Sequence, residues 1–467
     1  MKPTRLSVLA HWLHAPFHGE DRLVQAISHD TRCLKPGSLY VALRGECFDG
    51  HGFAQSALQQ GAAALLVEQL QGLDVPQIVV ENTQTALAEI ATHMQRARDT
   101  RVFAITGSNG KTTVKALLLS ILEQAAQRHR QSVYATPGNR NNEIGLPLAV
   151  IDAPDTAHYA IYEMGAGQSG DIAYLSAIAR PHYALVNNVA HAHVERMHSL
   201  LGVAQTKGAI YQALPENGVA VINADDAFSP WFEQHCVPKT GQVLRFALDH
   251  SAQITAQAIH LTPQSSEFTL LTPQGSAHIH LPLPGRHNIG NALAAAALAH
   301  AAHIALSDMV IGLENVQPVA GRQITHVLNN GAILIDDSYN ANPASLAAAL
   351  AVLAIHPAEQ KTENWLVLGD MRELGENARA LHAHAGQRAR EMGIDRLYAL
   401  GELSAAAAES FGVGARHFAN HATLTEALSE KLHTGVRCLV KGSRGSAMDN
   451  IVQALLAQHL GDTHHVA

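Results

Sequence analysis

Thr106-Gly107-Ser108-Asn109-Gly110-Lys111-Thr112-Thr113 follows the apolar run Val102-Phe103-Ala104-Ile105 and precedes Val114-Lys115-Ala116-Leu117-Leu118-Leu119-Ser120-Ile121-Leu122. The run reads as a buried strand and the later segment as a helix. Strand, Gly-rich turn and helix N-terminus together make a phosphate cradle. Glycines permit a tight turn and a close approach of backbone to anion, and successive N–H groups then point at the phosphate oxygens. Lys111 is placed to reach the β- and γ-phosphates, and the Thr112 hydroxyl to sit on Mg2+. In the common phosphate loop a glycine stands where this chain has Ile105, so the form here is the shorter Gly107-x-x-Gly110-Lys111-Thr112-Thr113. A turn that binds nothing does not call for Gly-Lys-Thr-Thr behind an apolar strand.

Around this loop lie 467 residues, too many for one core, and two to four domains are expected. Hydrophobic residues make up 47% and charged residues 15%, which excludes a disordered chain. The formal net charge of −8 and the lack of a long basic run argue against non-specific nucleic-acid binding. Cys33, Cys47, Cys236 and Cys438 are far apart and form no C-x-x-C pair, so reduced thiols in a cytosolic protein are expected, without a disulfide framework or zinc site. Met1-Lys2-Pro3-Thr4-Arg5-Leu6 lacks the apolar region of a signal peptide, and no membrane span is expected. The 30 histidines are scattered and read mostly as surface residues.

An α/β chain of three domains is predicted. Residues 1–98 read as a small α/β domain with strands near 39–43, 63–67 and 78–80, and helices at 54–60 and 84–97. Residues 96–101 read as a linker. Two polar clusters stand among these elements, Ser28-His29-Asp30-Thr31-Arg32 and Arg44-Gly45-Glu46-Cys47-Phe48-Asp49-Gly50-His51. Asp-Gly and Pro-Gly are ordinary turn formers, and hydroxyls and arginines at strand ends also suit a diphosphate or a sugar. Both readings stay open.

Residues 99–318 read as a larger domain with the phosphate loop on its first strand. Strands at 159–164, 183–187 and 218–223, with helices between them, predict a doubly wound, mostly parallel sheet. Ligands bind such sheets beyond the carboxyl ends of the strands, where Glu163, Asn187, Asn188, His191, His193 and Asn223 fall. Glu163 follows an apolar run and is costly to bury alone, so a cation partner is expected. Alternation over 267–281 predicts a hairpin insert. Asn288 and Asn291 open an Ala-rich helix, where helix capping is one reading. Residues 319–467 read as a third α/β domain. Three of its strands are followed by polar loops: Asp336-Asp337-Ser338-Tyr339-Asn340-Ala341-Asn342-Pro343, Gly369-Asp370-Met371-Arg372-Glu373-Leu374-Gly375 and Lys441-Gly442-Ser443-Arg444. The C-terminal domain is predicted to be Rossmann-like.

With these loops and the short phosphate loop together, the chain resembles the Mur ligases, ATP-dependent amide-bond-forming enzymes of peptidoglycan synthesis, over essentially its full length. The three C-terminal words are those of the dipeptide-adding branch, and the Asn-Pro-Arg loop of the branch that adds the third residue is not found. The resemblance implies ATP and Mg2+, with UDP-N-acetylmuramoyl-tripeptide and D-alanyl-D-alanine as partners; the sequence carries no dimerisation signal, and a cytoplasmic monomer is expected. It implies UDP-sugar contacts in the first domain from Ser28, Asp30, Thr31, Arg32, Arg44, Asp49, Gly50 and His51. It implies that the central domain binds ATP through Gly107, Ser108, Asn109, Gly110, Lys111, Thr112 and Thr113, with Asn291 on the adenine side, Arg322 on the phosphates and Asp337 on the ribose. Arg322 stands at the domain junction and would act after closure.

The implied catalytic residues are Lys111, Glu163, His193 and Lys207, and the implied Mg2+ ligands are Thr112, Glu163, His193 and a carbamylated Lys207. A carbamate converts a cation into an oxygen ligand, which suits Mg2+; an ordinary surface lysine is the alternative. Asn139, Asn141 and Asn142 would line the peptide channel, and Tyr339, Asn340 and Asn342 would lie near the dipeptide. Rival readings are a neighbouring ligase adding the third residue, a folate-glutamate ligase, and a nucleotide-binding protein without catalysis. The last has no need of Lys111, Thr112, Glu163, His193 and Lys207 together.

Overall fold

The computed structural model describes residues 1–45, 48–190, 194–355 and 362–460. The phosphate-loop strand, Arg101–Thr106, lies within a nine-stranded sheet. Residues 102–105 are fully buried, and a continuous apolar run is what a parallel strand covered on both faces requires. Parallel pairing runs from Val133–Ala135 through Tyr159–Glu163, Arg101–Thr106, Tyr183–Val186, Val219–Asn223 and Gln242–Ala247 to Ile254–Leu261. Beyond it Ser266–Thr272 and Gly275–Leu281 pair antiparallel. The expected hairpin is present. It is no separate insert, because Ser266–Thr272 pairs with Ile254–Leu261 and so extends the central sheet.

One face of this sheet is covered by the helices Lys111–His129 and Arg286–Ala301. Small alanines at 294–297 let the middle of the second helix, residues 291–299, lie buried. On the other face are Gly145–Asp152, Asp171–Ala179 and Leu200–Gln212.

The first 98 residues carry a five-stranded sheet, ordered Phe17–His18, Gln77–Val79, Ala64–Val67, Ser38–Val41, Ala26–Ser28. Their helix Thr83–Arg96 ends on the first residue of the expected linker, and Arg101 already belongs to the next strand. Leu87, Ile90 and Met94 share one apolar cluster with Val102, Leu146 and Val150, so the core crosses the boundary near residue 98. The C-terminal unit has a six-stranded sheet: Ile324–Val327, Ile333–Asp337, Val436–Lys441, Glu363–Gly369, Arg396–Leu400, Ala415–Phe418. Only its first strand runs antiparallel. The periodicity did not reveal Ile324–Val327, Ala415–Phe418, Leu306–Glu314 or Ala405–Phe411. These are edge strands and short helices with few fully buried side chains. Among the described residues no helix is long and apolar enough to cross a membrane.

Candidate active site

The phosphate loop takes the conformation its glycines allow. Gly107 has φ 152° and Gly110 φ 79°. A Cβ on Gly107 would lie 3.0 Å from Asn187 Cβ, and one on Gly110 would lie 2.5 Å from Asn187 Nδ2 and overlap Asn291 Oδ1. The first helical hydrogen bond is Val114 N–H to Gly110 O, 2.8 Å, which leaves the amides at the helix start without helical partners. Gly110→Ala is therefore expected to add about 1–3 kcal/mol of local strain and to weaken ADP binding at least ~10-fold. Calorimetric titration with ADP checks this, and unchanged affinity would refute the steric argument.

Asn288 and Asn291 do not cap their helix, one of the readings open to them; they join a set of asparagines around the loop. The residue before their helix is Gly285, and no side chain caps it. Asn288 Nδ2 donates to Pro284 O (2.8 Å), Asn291 Nδ2 to Asn288 Oδ1 (3.1 Å), and Asn187 Nδ2 to Asn291 Oδ1 (3.0 Å). Asn188 Oδ1 accepts from Asn109 N–H at 2.8 Å. From the C-terminal unit, Asn342 Nδ2 donates to Asn109 Oδ1 at 2.7 Å while its own Oδ1 caps the helix Pro343–Leu353. The C-terminal unit thus touches the phosphate loop directly.

Two cavities open on the loop. One, about 430 Å³, is bordered by Asn109, Gly110, Thr113, His287, Asn291, Arg322, Asp337 and Lys441. Its size and apolar walls, Phe246, Leu248 and Leu283 among them, suit a nucleoside. His287 was not anticipated. Burial, with Lys441 adding to it, lowers its pKa to about 4, so the ring is neutral at physiological pH. It stands four residues before Asn291, on the same helix face. Asp337 accepts from Lys441 Nζ at 2.6 Å, both being buried.

The second cavity, about 780 Å³, lies between the central and C-terminal units. Ser108, Lys111, Asn141, Asn142, Glu163, Arg322, Tyr339, Asn340 and Asn342 line it. Lys111 Nζ donates back to Gly107 O at 2.8 Å. Burial, opposed by Glu163, lowers its pKa below the ordinary lysine value. Arg322 stacks on Tyr339, its guanidinium carbon 4.4 Å from the ring centre.

Glu163 is 3% exposed, and the expected cation partner is in the chain itself. Lys115 Nζ stands 3.2 Å from Oε2, and Asn141 Nδ2 donates to Oε1 at 2.9 Å. Burial opposes ionisation of this carboxyl, but Lys115, Lys111 and Asn141 together hold its pKa below the usual value. Oε2 is buried and, among the described residues, accepts no aligned hydrogen bond, so it keeps lone pairs for a cation.

Other sequence expectations meet mixed outcomes. Asn139 is exposed and is not among the residues lining the cleft. Asn142 is, although its Oδ1 also accepts from Gly145 N–H at the start of a helix. Lys207 is no surface lysine. It is 1% exposed, and burial, with Lys111 adding to it, lowers its pKa to about 7. His191 and His193 lie outside the described residues.

In the first unit the polar residues hold one another. Asp30 accepts from Arg32 N–H and from its guanidinium, and Asp49 accepts from His51 N–H and faces His51 Nδ1 at 2.6 Å. Ser28 Oγ donates to Asp30 O, and Thr31 begins the short helix that Asp30 caps. Arg44 reaches Glu68 at 2.9 Å. A Cβ on Gly50 would stand 2.7 Å from Leu43 N, so the turn requires glycine. The turn-forming reading is satisfied here, and the exposed Arg32 guanidinium still faces solvent.

Residues 105–299 match the Mur ligase middle domain, 321–444 the Mur ligase glutamate ligase domain, and 23–95 the Mur ligase family catalytic domain. The chain is similar to the UDP-N-acetylmuramoyl-tripeptide–D-alanyl-D-alanine ligase of Escherichia coli, 43% identical over 453 residues, covering 96% of this chain and 98% of that protein. It is 38% identical to the ligase of the same name from Haemophilus influenzae, covering 96% and 97%. Among solved structures, MurF from Acinetobacter baumannii is similar with a TM-score of 0.90 at 31% identity, covering 98% of this chain and 99% of that one.

Proposed function

The chain belongs to the Mur ligase family, and we propose that it is the member that joins D-alanyl-D-alanine to UDP-N-acetylmuramoyl-tripeptide at the expense of ATP. The observation that carries this reading is the cleft between two units. Lys111 and Glu163 on one side face Arg322, Tyr339 and Asn342 on the other, beside a cavity of nucleoside size. Full-length relatives bearing that activity in their names support it.

A carboxylate resists attack because its oxygens already carry the charge. Phosphorylation by ATP gives an acyl phosphate and ADP. The dipeptide amine then adds to the acyl carbon, and inorganic phosphate and a proton leave as the amide forms. Two anions must first be brought together, so the site has to supply positive charge. Lys111 and the free amides at its helix start serve the β- and γ-phosphates, and Arg322, brought in by the C-terminal unit, serves the same charge. Asp337 holds the ribose, and Asn291 with His287 borders the base. Asn141 and Asn142 line the peptide channel, and Tyr339, Asn340 and Asn342 receive the dipeptide. The UDP-sugar end goes to Ser28, Asp30, Thr31, Arg32, Arg44, Asp49, Gly50 and His51. Domain roles follow: 1–98 for the UDP-sugar, 99–318 for ATP, 319–467 for the dipeptide and for closure.

Mg2+ fits the residues present. Glu163 Oε2 is a buried oxygen that, among the described residues, has an ion pair with Lys115 but no aligned hydrogen bond; Glu163 lines the same cleft as Lys111, and Thr112 sits on the first helical turn. Glu163, Thr112, His193 and Lys207 as a carbamate would hold it. Bound there, it neutralises phosphate charge. Carbamylation needs a neutral amine, and a lysine titrating near 7 supplies one at physiological pH. As pH falls below about 7 the ammonium form takes over, and the carbamate is expected to decline with it. Lys207→Ala should lose about 100-fold in activity and regain part of it with added acetate; wild-type-like activity of that variant would sink the modification.

The deciding experiment is phosphate release from ATP with UDP-N-acetylmuramoyl-tripeptide, with and without D-alanyl-D-alanine. Release that depends on the dipeptide, with a matching mass gain on the nucleotide product, is expected. Release that follows a diamino acid and a dipeptide substrate instead would move the chain to the neighbouring ligase.

A further inference from the structure

Lys111 and Lys115 stand four residues apart on the phosphate-loop helix and leave it from one face. Their ammonium groups go to different places. Lys111 folds back to Gly107 O. Lys115 Nζ donates to Thr136 O at 3.0 Å and Gly138 O at 2.9 Å, and lies 3.2 Å from Glu163 Oε2. The last contact is an ion pair out of hydrogen-bond alignment.

Three elements therefore meet at one buried ammonium: the phosphate-loop helix, the end of Tyr159–Glu163, and the segment that leads from Val133–Ala135 into Asn141 and Asn142. The helix does not need this lysine to pack. Val114, Leu117, Leu118, Ile121 and Leu122 already bury its apolar stripe. A charge at 8% exposure is costly unless it is fully used, and this one has three oxygens around it. Asn141, at the far end of the tethered segment, holds Glu163 Oε1 at 2.9 Å. The carboxylate is thus gripped from both sides, directly by Lys115 and through the loop that Lys115 anchors.

We propose that Lys115 is a positioning residue for the ligase reaction: it fixes the Glu163 carboxylate so that Oε2, buried and not tied up in an aligned hydrogen bond among the described residues, is held ready to take a divalent cation, and the same ammonium sets the 137–142 loop against the incoming tripeptide. The second half rests on the ligase reading above; the first does not.

The test uses Lys115→Met in the full chain, with Lys115→Arg beside it. Two readouts are taken: Mn2+ affinity of the ADP complex, from the paramagnetic resonance signal of free Mn2+, and separate KM values for tripeptide substrate and ATP. Lys115→Met is expected to weaken Mn2+ binding about 10-fold and to raise the tripeptide KM about 10-fold or more. The ATP KM should stay within about three-fold, and arginine should recover part of both losses. In a Glu163→Gln background the Met substitution should leave Mn2+ affinity unchanged, because no carboxylate remains to be positioned.

A folded Lys115→Met protein with Mn2+ affinity and tripeptide KM within about two-fold of wild type would overturn the proposal. So would an ATP KM that rises as far as the tripeptide KM, since that marks general damage to the helix. If the Met variant does not fold, Lys115→Gln is read by the same criteria. Should the wild type make no product with the dipeptide, the ligase reading falls, while the Mn2+ titration still decides the role of Lys115.

Discussion

Replacing Lys111 by methionine is expected to lower kcat/KM for ATP by about 10³-fold, the upper range for losing one preorganised electrostatic contact to developing charge. In free-energy terms that is about 4 kcal/mol of transition-state stabilisation. The argument is positional. Lys111 is the first residue of a 19-residue helix, its ammonium is held over the loop by Gly107 O, and it shares the cleft with Glu163 and Arg322. The ammonium is half-buried in the folded protein, which lowers its pKa, and its hydrogen bond to Gly107 O already fixes its position, so little reorganisation is needed when the phosphates arrive. Removing a half-buried cation should leave folding intact, and thermal unfolding is the control. The measurement is single-turnover formation of ADP. A rate within about ten-fold of wild type, in a folded variant, would remove Lys111 from the centre of the mechanism.

Lys441→Met should act first on stability. Its ammonium donates to Asp337 at 2.6 Å and to Asn340 O at 3.0 Å, with both charged partners buried. Taking one partner from a buried pair leaves an uncompensated charge, at a typical cost of about 3–5 kcal/mol. Burial already pushes the Asp337 carboxyl above its ordinary value, with Lys441 pulling it back. Without Lys441 the pKa should rise further. The folded-state pKa then exceeds the unfolded one, so the folded state binds the extra proton and stability falls as pH rises through that interval. The variant should therefore lose most near neutrality and approach the wild type towards pH ~4. Unfolding followed by Trp365 fluorescence, in the same C-terminal sheet, measures this. Asp337→Asn in the same chain should return part of the loss, and a variant equally destabilised at all pH values would refute the electrostatic account. Lys441 also borders the nucleoside-sized cavity, so the ATP KM should rise in any fraction that stays folded.

Much of the candidate site could be proposed from the sequence because its residues sit where local rules place them. Lys111, Thr112 and Glu163 follow apolar runs at strand ends, and parallel sheets put ligands there. The words at Asp336–Pro343 and Lys441–Arg444 begin on the last residues of strands and run into the loops after them for the same reason. The asparagines were legible as polar residues but not in their roles. Asn291 is one turn into a helix, a place where capping and ligand contact leave the same trace; only the approach of Gly110 shows that it buttresses the phosphate loop. Lys115 gave no signal at all. A lysine on a helix normally faces water, and nothing local says that Thr136, Gly138 and Glu163 will converge on it.

The amino-acid sequence by itself determined the phosphate loop, the alternation of strand and helix, the three-part order and the family. Each of these depends on short-range chemistry: glycines where φ must be positive, apolar runs where both faces of a strand are covered. Tertiary structure alone decided which charges are buried and with whom. It ruled out the alternative reading of Lys207 as a surface residue by burying its amine, which titrates near neutrality, paired Glu163 with Lys115, joined Asn109 to Asn342 across 233 residues, and ran one core through the boundary near residue 98. Burial and long-range pairing depend on how separate segments fall together in space, and no local pattern along the chain encodes that.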